Sequence, residues 1–150
     1  MSLLKTRIQD DMKAAMRAGE KERLVTIRML LAAIKQREVD ERTETTDTAV
    51  LQILEKLIRQ RRESASQFAA GGRPELEAKE LGEIALLQAY LPAALSPAEL
   101  DALIRDVMAA TGASSMKDMG KVMAALREKA QGRADFGTIG ERVKALLAGK

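Results

Sequence analysis

Residues 116–147 carry the strongest fold signal in this chain and read MKDMGKVMAALREKAQGRADFGTIGERVKALL. Apolar residues recur every three or four positions on both sides of a Gly-Arg-Ala-Asp turn at 132–135, which predicts two short helices. Ser115 suits the N-cap of the first helix, and Asp135 suits the N-cap of the second. Gly132 suits the left-handed residue that closes the first helix. The stretch therefore predicts a pair of short amphipathic helices.

The same stretch is more basic than the rest of the chain. Between Ser114 and Lys144 there are seven Lys or Arg residues against four Asp or Glu, and this surplus equals the net charge of the whole protein, +3. Lys117 and Lys121 are four residues apart and share a helix face. Such cations can contact nucleic-acid phosphates without reading base sequence, or can form an ordinary solvated face. The candidate set is Lys117, Lys121, Arg127, Lys129, Arg133, Arg142 and Lys144.

Glycines interrupt this basic stretch where a helix would not favour them. We predict that Gly120 lies in the middle of a helix, where glycine costs about 1 kcal/mol relative to alanine. Two explanations stay open, namely close packing against another helix and close approach of a ligand backbone. Gly137 and Gly140 fall near the start of the last helix, where exposed N–H groups can hold a phosphate. Asp135 would compete for the same groups.

The rest of the chain predicts helices as well. Leu4, Ile8, Met12 and Met16 repeat at four-residue spacing, and comparable apolar stripes recur along the chain. Aromatic residues make up only 2% of the sequence, and this composition favours helix over sheet. The upstream helices are predicted at 2–17, 20–39, 48–70, 74–90 and 96–110.

A boundary between two domains is predicted near Pro92 and Pro97, because two prolines in six residues end a helix. Ser96 and Glu99 match a capping box that starts the next helix. We therefore predict an all-α fold, in which an N-terminal four-helix unit at residues 1–91 precedes a small three-helix domain at residues 92–150.

The composition excludes several functional classes. The chain has no Cys and no His, which excludes disulfides, thiolate nucleophiles, the usual zinc sites and imidazole catalysis. No phosphate-binding glycine loop, dinucleotide fingerprint or serine-nucleophile motif occurs, so we expect no catalytic residue, metal or cofactor. No apolar run approaches the ~20 residues of a membrane helix, and the first residues lack a signal-peptide core. We therefore expect a cytoplasmic protein without a membrane partner.

A second basic cluster lies on the predicted third helix and comprises Arg59, Arg61 and Arg62. Three guanidinium groups so close together suit phosphate or carboxylate ligands, and the alternative is an exposed helix with ion pairs along it. Tyr90 is predicted to lie in the core, because aromatic residues are so few, and the alternative is that it stacks on a base. Asp10 and Asp11 are predicted to lie on a polar helix surface.

Several segments of the chain match one family. Lys117-Asp-Met-Gly-Lys-Val-Met123 and Gly132-Arg-Ala-Asp135 are the most specific, and Ile27-Arg-Met-Leu30, Arg59-Gln-Arg-Arg-Glu-Ser64 and Tyr90-Leu-Pro92 extend the match over nearly the whole chain. Together they resemble the YqeY proteins and the tail domain of the B subunit of tRNA-dependent amidotransferase. The resemblance implies an N-terminal helical domain and a C-terminal GatB/YqeY-type three-helix domain. Phe136 departs from the pattern, since a glycine is expected there.

The resemblance also implies a function. The tail domain helps the amidotransferase to hold tRNA, whereas the catalytic part of that subunit has no counterpart in this chain. It therefore implies a non-catalytic tRNA-binding accessory protein, with phosphate contacts from the basic sets above. One alternative is a protein-interaction module that docks on an aminoacyl-tRNA synthetase or amidotransferase through an apolar helix face. Another is a component of a glutamine-dependent carbon–nitrogen ligase.

Overall fold

The computed structural model describes residues 2–134 and 136–148, and all regular structure within them is helical. These residues form α1 (Leu3–Ala18), α2 (Lys21–Glu41), α3 (Asp47–Ala70), α4 (Pro74–Gln88), α5 (Pro97–Thr111), a 3₁₀ turn (Met116–Asp118), α6 (Met119–Lys129) and α7 (Phe136–Ala148). The predicted all-α fold is confirmed. The chain divides between Leu91 and Pro92 into two compact units.

The first unit contains α1 to α4 around one apolar core. Gly19 takes a left-handed conformation (φ 69°) and its N–H donates to the carbonyls of Ala15 and Met16, so α1 and α2 join through a tight turn. Ile8, Leu30 and Leu54 are fully buried in this core. Burying a side chain of this size stabilises the fold by about 1.5–3 kcal/mol.

Polar contacts tie the start of α1 to the loop between α2 and α3. Glu38 accepts hydrogen bonds from Lys5 Nζ at 2.9 Å and from the backbone N–H of Thr45 at 2.9 Å. Asp47 accepts from the Ser2 hydroxyl and from the N–H of Leu4. The loop predicted at 40–48 is consequently shorter, because these contacts organise the ends of the two helices.

The second unit contains α5 to α7. The Ser96–Glu99 capping box is present, since the Ser96 hydroxyl accepts from the Glu99 N–H and Glu99 accepts from the Ser96 N–H, both at 3.1 Å. The core of this unit includes Ile104 of α5, Leu126 of α6 and Val143 of α7, which are all fully buried. Each helix thus contributes one apolar face, and the opposite faces remain exposed.

Candidate nucleic-acid interface

The exposed side of α6 brings together two of the predicted cations. Val122 and Leu126 point into the core with no exposed surface. The opposite surface carries Lys117, Gly120, Lys121 and Ala124, which are all exposed and recur at helical spacing. We call these four residues the α6 face.

Asp118 fixes the 3₁₀ turn from which the α6 face begins. Its carboxylate accepts hydrogen bonds from the backbone N–H of Ser114 at 3.0 Å and of Ser115 at 3.3 Å. These bonds hold the pKa of Asp118 below its usual value, and the nearby charge of Lys121 lowers it further. The turn therefore presents Lys117 from an anchored backbone, beside a carboxylate that stays ionised.

The structure changes the explanation of Gly120. This residue is the second in α6, so the prediction that it lies mid-helix is wrong. A Cβ atom added at Gly120 would meet nothing within 4 Å, and close packing against another helix is therefore also wrong. The helix was placed too early in the sequence because its first turn is 3₁₀. Gly120 instead leaves open space on the exposed side of α6 that also carries Lys121.

The remaining cations of the second unit differ in their surroundings. Arg127, Lys129 and Lys144 are exposed. Arg142 forms an ion pair with Asp101, with Nε 2.9 Å from Oδ1, and this hydrogen bond raises its pKa. Arg133 donates from Nε to the carbonyl of Ala93 at 3.0 Å. Arg133 and Arg142 thus hold segments of the unit together, and we do not count them among the phosphate contacts.

The three arginines of the second basic cluster lie in different surroundings in the structure. Arg61 is the least exposed of the three, at 11%, and its Nε lies 3.0 Å from Glu83 Oε2. Its guanidinium also donates to the carbonyl of Leu57 and contacts the sulfur of Met29. Arg61 therefore joins α3 to α4. Arg59 and Arg62 remain exposed on α3.

The two glycines near the start of α7 differ in their surroundings. Asp135, predicted to cap this helix, lies outside the described residues. Gly137 is exposed, whereas a Cβ at Gly140 would lie 4.0 Å from Met119 Cε. Gly140 therefore marks the place where α7 passes close to a side chain of α6.

A polar cluster in the first unit was not predicted. Tyr90 is buried as expected, but its hydroxyl donates to Asp11 Oδ2 at 2.6 Å, and the Arg7 guanidinium lies 5.1 Å from its ring centroid. Burial, followed by the bond to Asp11, raises the pKa of Tyr90 to about 12. The prediction that Asp11 is a surface carboxylate is wrong, because it is half-buried as the partner of a residue 79 positions away.

The described residues also lack two other kinds of site. They hold no group of three or more Asp or Glu side chains placed to bind a metal ion. Within residues 2–134 and 136–148, no helix combines the length and apolar character needed to cross a membrane.

Sequence comparison places these observations in a family. A family model described as Yqey-like protein matches residues 5–147. Proteins named "Altered inheritance of mitochondria protein 41, mitochondrial" are similar to this chain. The one from Eremothecium gossypii is 44% identical over 87 residues, which cover 57% of this chain and 48% of that protein. The one from Vanderwaltozyma polyspora is 34% identical over 119 residues, which cover 75% and 64% respectively.

These comparisons correct one expectation and confirm another. The matched region spans roughly half to just under two thirds of the length of these two relatives. The expected cytoplasmic location is contradicted, because the names of these relatives carry the designation mitochondrial. The predicted family is confirmed, since the matching model extends over nearly the whole chain, and this chain therefore belongs to the YqeY-like family.

Proposed function

We propose that this YqeY-like protein is a non-catalytic accessory protein that binds tRNA through the α6 face. The observation that carries the proposal is the open space at Gly120 on the exposed face that also carries Lys117 and Lys121. Glycine is unfavourable in a helix, and nothing in the described structure occupies the position of its missing side chain. A ligand that approaches the helix closely would account for the glycine.

The chemistry of the α6 face suits a sugar–phosphate backbone. Gly120 has no side chain and Ala124 has only a methyl group, so a phosphate strand can approach the helix closely on the exposed face that carries Lys117 and Lys121. Lysine acts as a mobile point charge rather than a fixed fork, which fits phosphate contact without base readout. The resemblance to the amidotransferase tail domain supports tRNA as the RNA in question.

Filter binding with bulk tRNA tests this function. Lys117→Ala combined with Lys121→Ala should weaken binding, and the slope of log affinity against log salt should fall by about 0.9 for each lost phosphate contact on duplex RNA, taking the B-DNA value. The matched control is Lys13→Ala with Arg17→Ala, which removes two exposed cations from α1. The proposal fails if both double variants bind tRNA equally well, provided that circular dichroism shows both to be folded.

A groove in the first unit, in which charged residues flank exposed apolar ones, favours a second candidate function, docking on another protein. Val25 and Leu81 are 62% and 51% exposed. Val25 lines a groove of about 750 Å³ between α2 and α4, together with Ala78, Gly82 and Leu86. Exposed apolar side chains beside a groove are typical of contact surfaces. A complex recovered from cell extract should then survive nuclease and high salt, and should be lost with Val25→Asp, whereas an RNA-mediated complex would not survive the nuclease.

A further inference from the structure

We infer that the groove between α2 and α3 is a second RNA site, which holds a nucleotide of an unpaired, single-stranded segment. The inference rests on the proposed function in taking RNA as the ligand, but it concerns other residues in the other unit. We call this cavity the α2–α3 groove. It has a volume of about 540 Å³, and its α3 wall carries Gln52, Lys56, Arg59 and Gln60.

The α3 wall offers hydrogen-bond donors that share one face of the helix. Its four polar residues are all exposed and lie four, three and one positions apart, so they share one face of α3. Lys56 and Arg59 supply positive charge, and the two glutamines supply amides that both donate and accept. The neighbouring Arg61 belongs to the opposite side of α3, where it pairs with Glu83. The structure thus assigns Arg59 to a groove that the sequence cluster did not reveal.

The α2 wall holds acidic groups that are already engaged. Asp40 accepts a hydrogen bond from Gln36 Nε2 at 2.9 Å. Glu41 forms an ion pair with Arg37 at 3.0 Å. Among the described residues that line the groove, Asp40 is therefore the one carboxylate that is not paired with a cation, and the lining keeps one net positive charge. This balance favours an anionic ligand.

The floor of the α2–α3 groove is apolar. Ile53 is 8% exposed, and Ala33 and Leu57 are half-buried beside it. A volume of about 540 Å³ falls within the roughly 300–1,000 Å³ typical of sites for small organic ligands. A ribose or base can lie on this floor while its phosphates reach Lys56 and Arg59. A base that is paired and stacked in a duplex has its faces and its pairing edge covered, so it is not free to lie on this floor, and the inference therefore specifies an unpaired segment.

No aromatic residue lines the α2–α3 groove, so strong base stacking does not contribute. Phosphate contacts must then supply most of the affinity, and binding should depend strongly on salt. The glutamine amides can contact base edges, but without a stacked base we expect weak preference among bases.

The test compares two double variants. One combines Lys56→Gln and Arg59→Gln, and the control combines Lys13→Gln and Arg17→Gln, which changes the net charge by the same amount but on α1. Binding of a short mixed-sequence RNA oligonucleotide is measured across salt concentrations, first single-stranded and then annealed to its complement. Two lost contacts should weaken single-strand binding roughly 10- to 25-fold near 0.1 M salt and lower the salt slope by about 1.4. The control variant should bind as wild type, and the duplex should not distinguish the two variants.

Three results would overturn the inference: equal single-strand affinities for the two variants, equal losses for single strand and duplex, or no binding of the single strand by the wild-type protein. Each differs from a failure of the proposed function, which is measured with tRNA and the Lys117→Ala, Lys121→Ala variant. If that variant binds tRNA normally while the groove variant loses the single strand, the α6 face is refuted and the α2–α3 groove stands.

Discussion

Replacing Gly120 with alanine should stabilise the protein while weakening its binding to tRNA. Gly120 is the second residue of α6, its φ is not positive, and an added Cβ atom meets nothing within 4 Å. Alanine therefore fits without strain and reduces the conformational entropy of the unfolded chain. The full interior difference is about 1 kcal/mol, and near a helix end we expect about 0.5–1 kcal/mol. For a unit of this size that corresponds to a rise in Tm of about 2–8 °C.

Thermal unfolding followed by circular dichroism, together with filter binding of tRNA, measures both effects. The new methyl group should keep the RNA backbone away from the helix and lower the affinity. Gly82→Ala is the matched control, because Gly82 is exposed within α4 and its Cβ would also meet nothing within 4 Å. It should stabilise the protein and leave tRNA binding unchanged. A lower Tm for Gly120→Ala would refute the open space at this position, and unchanged tRNA affinity would refute close approach to the α6 face.

Two further predictions concern pH. Hydrogen bonds from the Thr45 N–H and Lys5 lower the pKa of Glu38, and those from Ser2 and Leu4 lower the pKa of Asp47. The unfolded state then binds more protons. The contribution of the two carboxylates to the free energy of unfolding should therefore be fully present above about pH 5 and decrease as the pH drops through the folded pKa values. Urea titrations should show this loss, and Glu38→Gln should reduce it; an unchanged pH dependence in that variant would contradict the assignment. The single tyrosine allows a direct absorbance titration, in which Tyr90 should ionise near its raised pKa of about 12. Its contribution to stability should be present below the unfolded pKa of about 10 and be lost as the pH rises through the folded value, and a midpoint near 10 in the folded protein would contradict both the burial of Tyr90 and its bond to Asp11.

Much of the fold was predictable because its signals are local. The four-residue spacing of Leu4 and Ile8, the left-handed Gly19 and the Ser96–Glu99 capping box each act within one or two turns of helix. The end of α2 was not predictable in the same way. It depends on Glu38, which pairs with a lysine 33 positions away. Sequence spacing carries no information on such contacts.

The candidate site was predictable only in part, for the same reason. Lys117 and Lys121 lie opposite an apolar stripe, so their exposure follows from helical periodicity. The partners of Arg61 and Arg142 lie 22 and 41 positions away, so the ion pairs that occupy these two arginines required the tertiary structure. The open space at Gly120 also required it, because a helix glycine looks the same in sequence whether it is packed or free.

Lysine footprinting with and without tRNA tests the proposed RNA interface most directly. The protein is treated briefly with an amine-acetylating reagent, and the modification of each lysine is measured by mass spectrometry. Lys117 and Lys121 should be acetylated several times more slowly when tRNA is bound, while the exposed Lys13 of α1 serves as the internal reference and should react at the same rate. Equal acetylation of Lys117 and Lys121 with and without saturating tRNA would contradict the account.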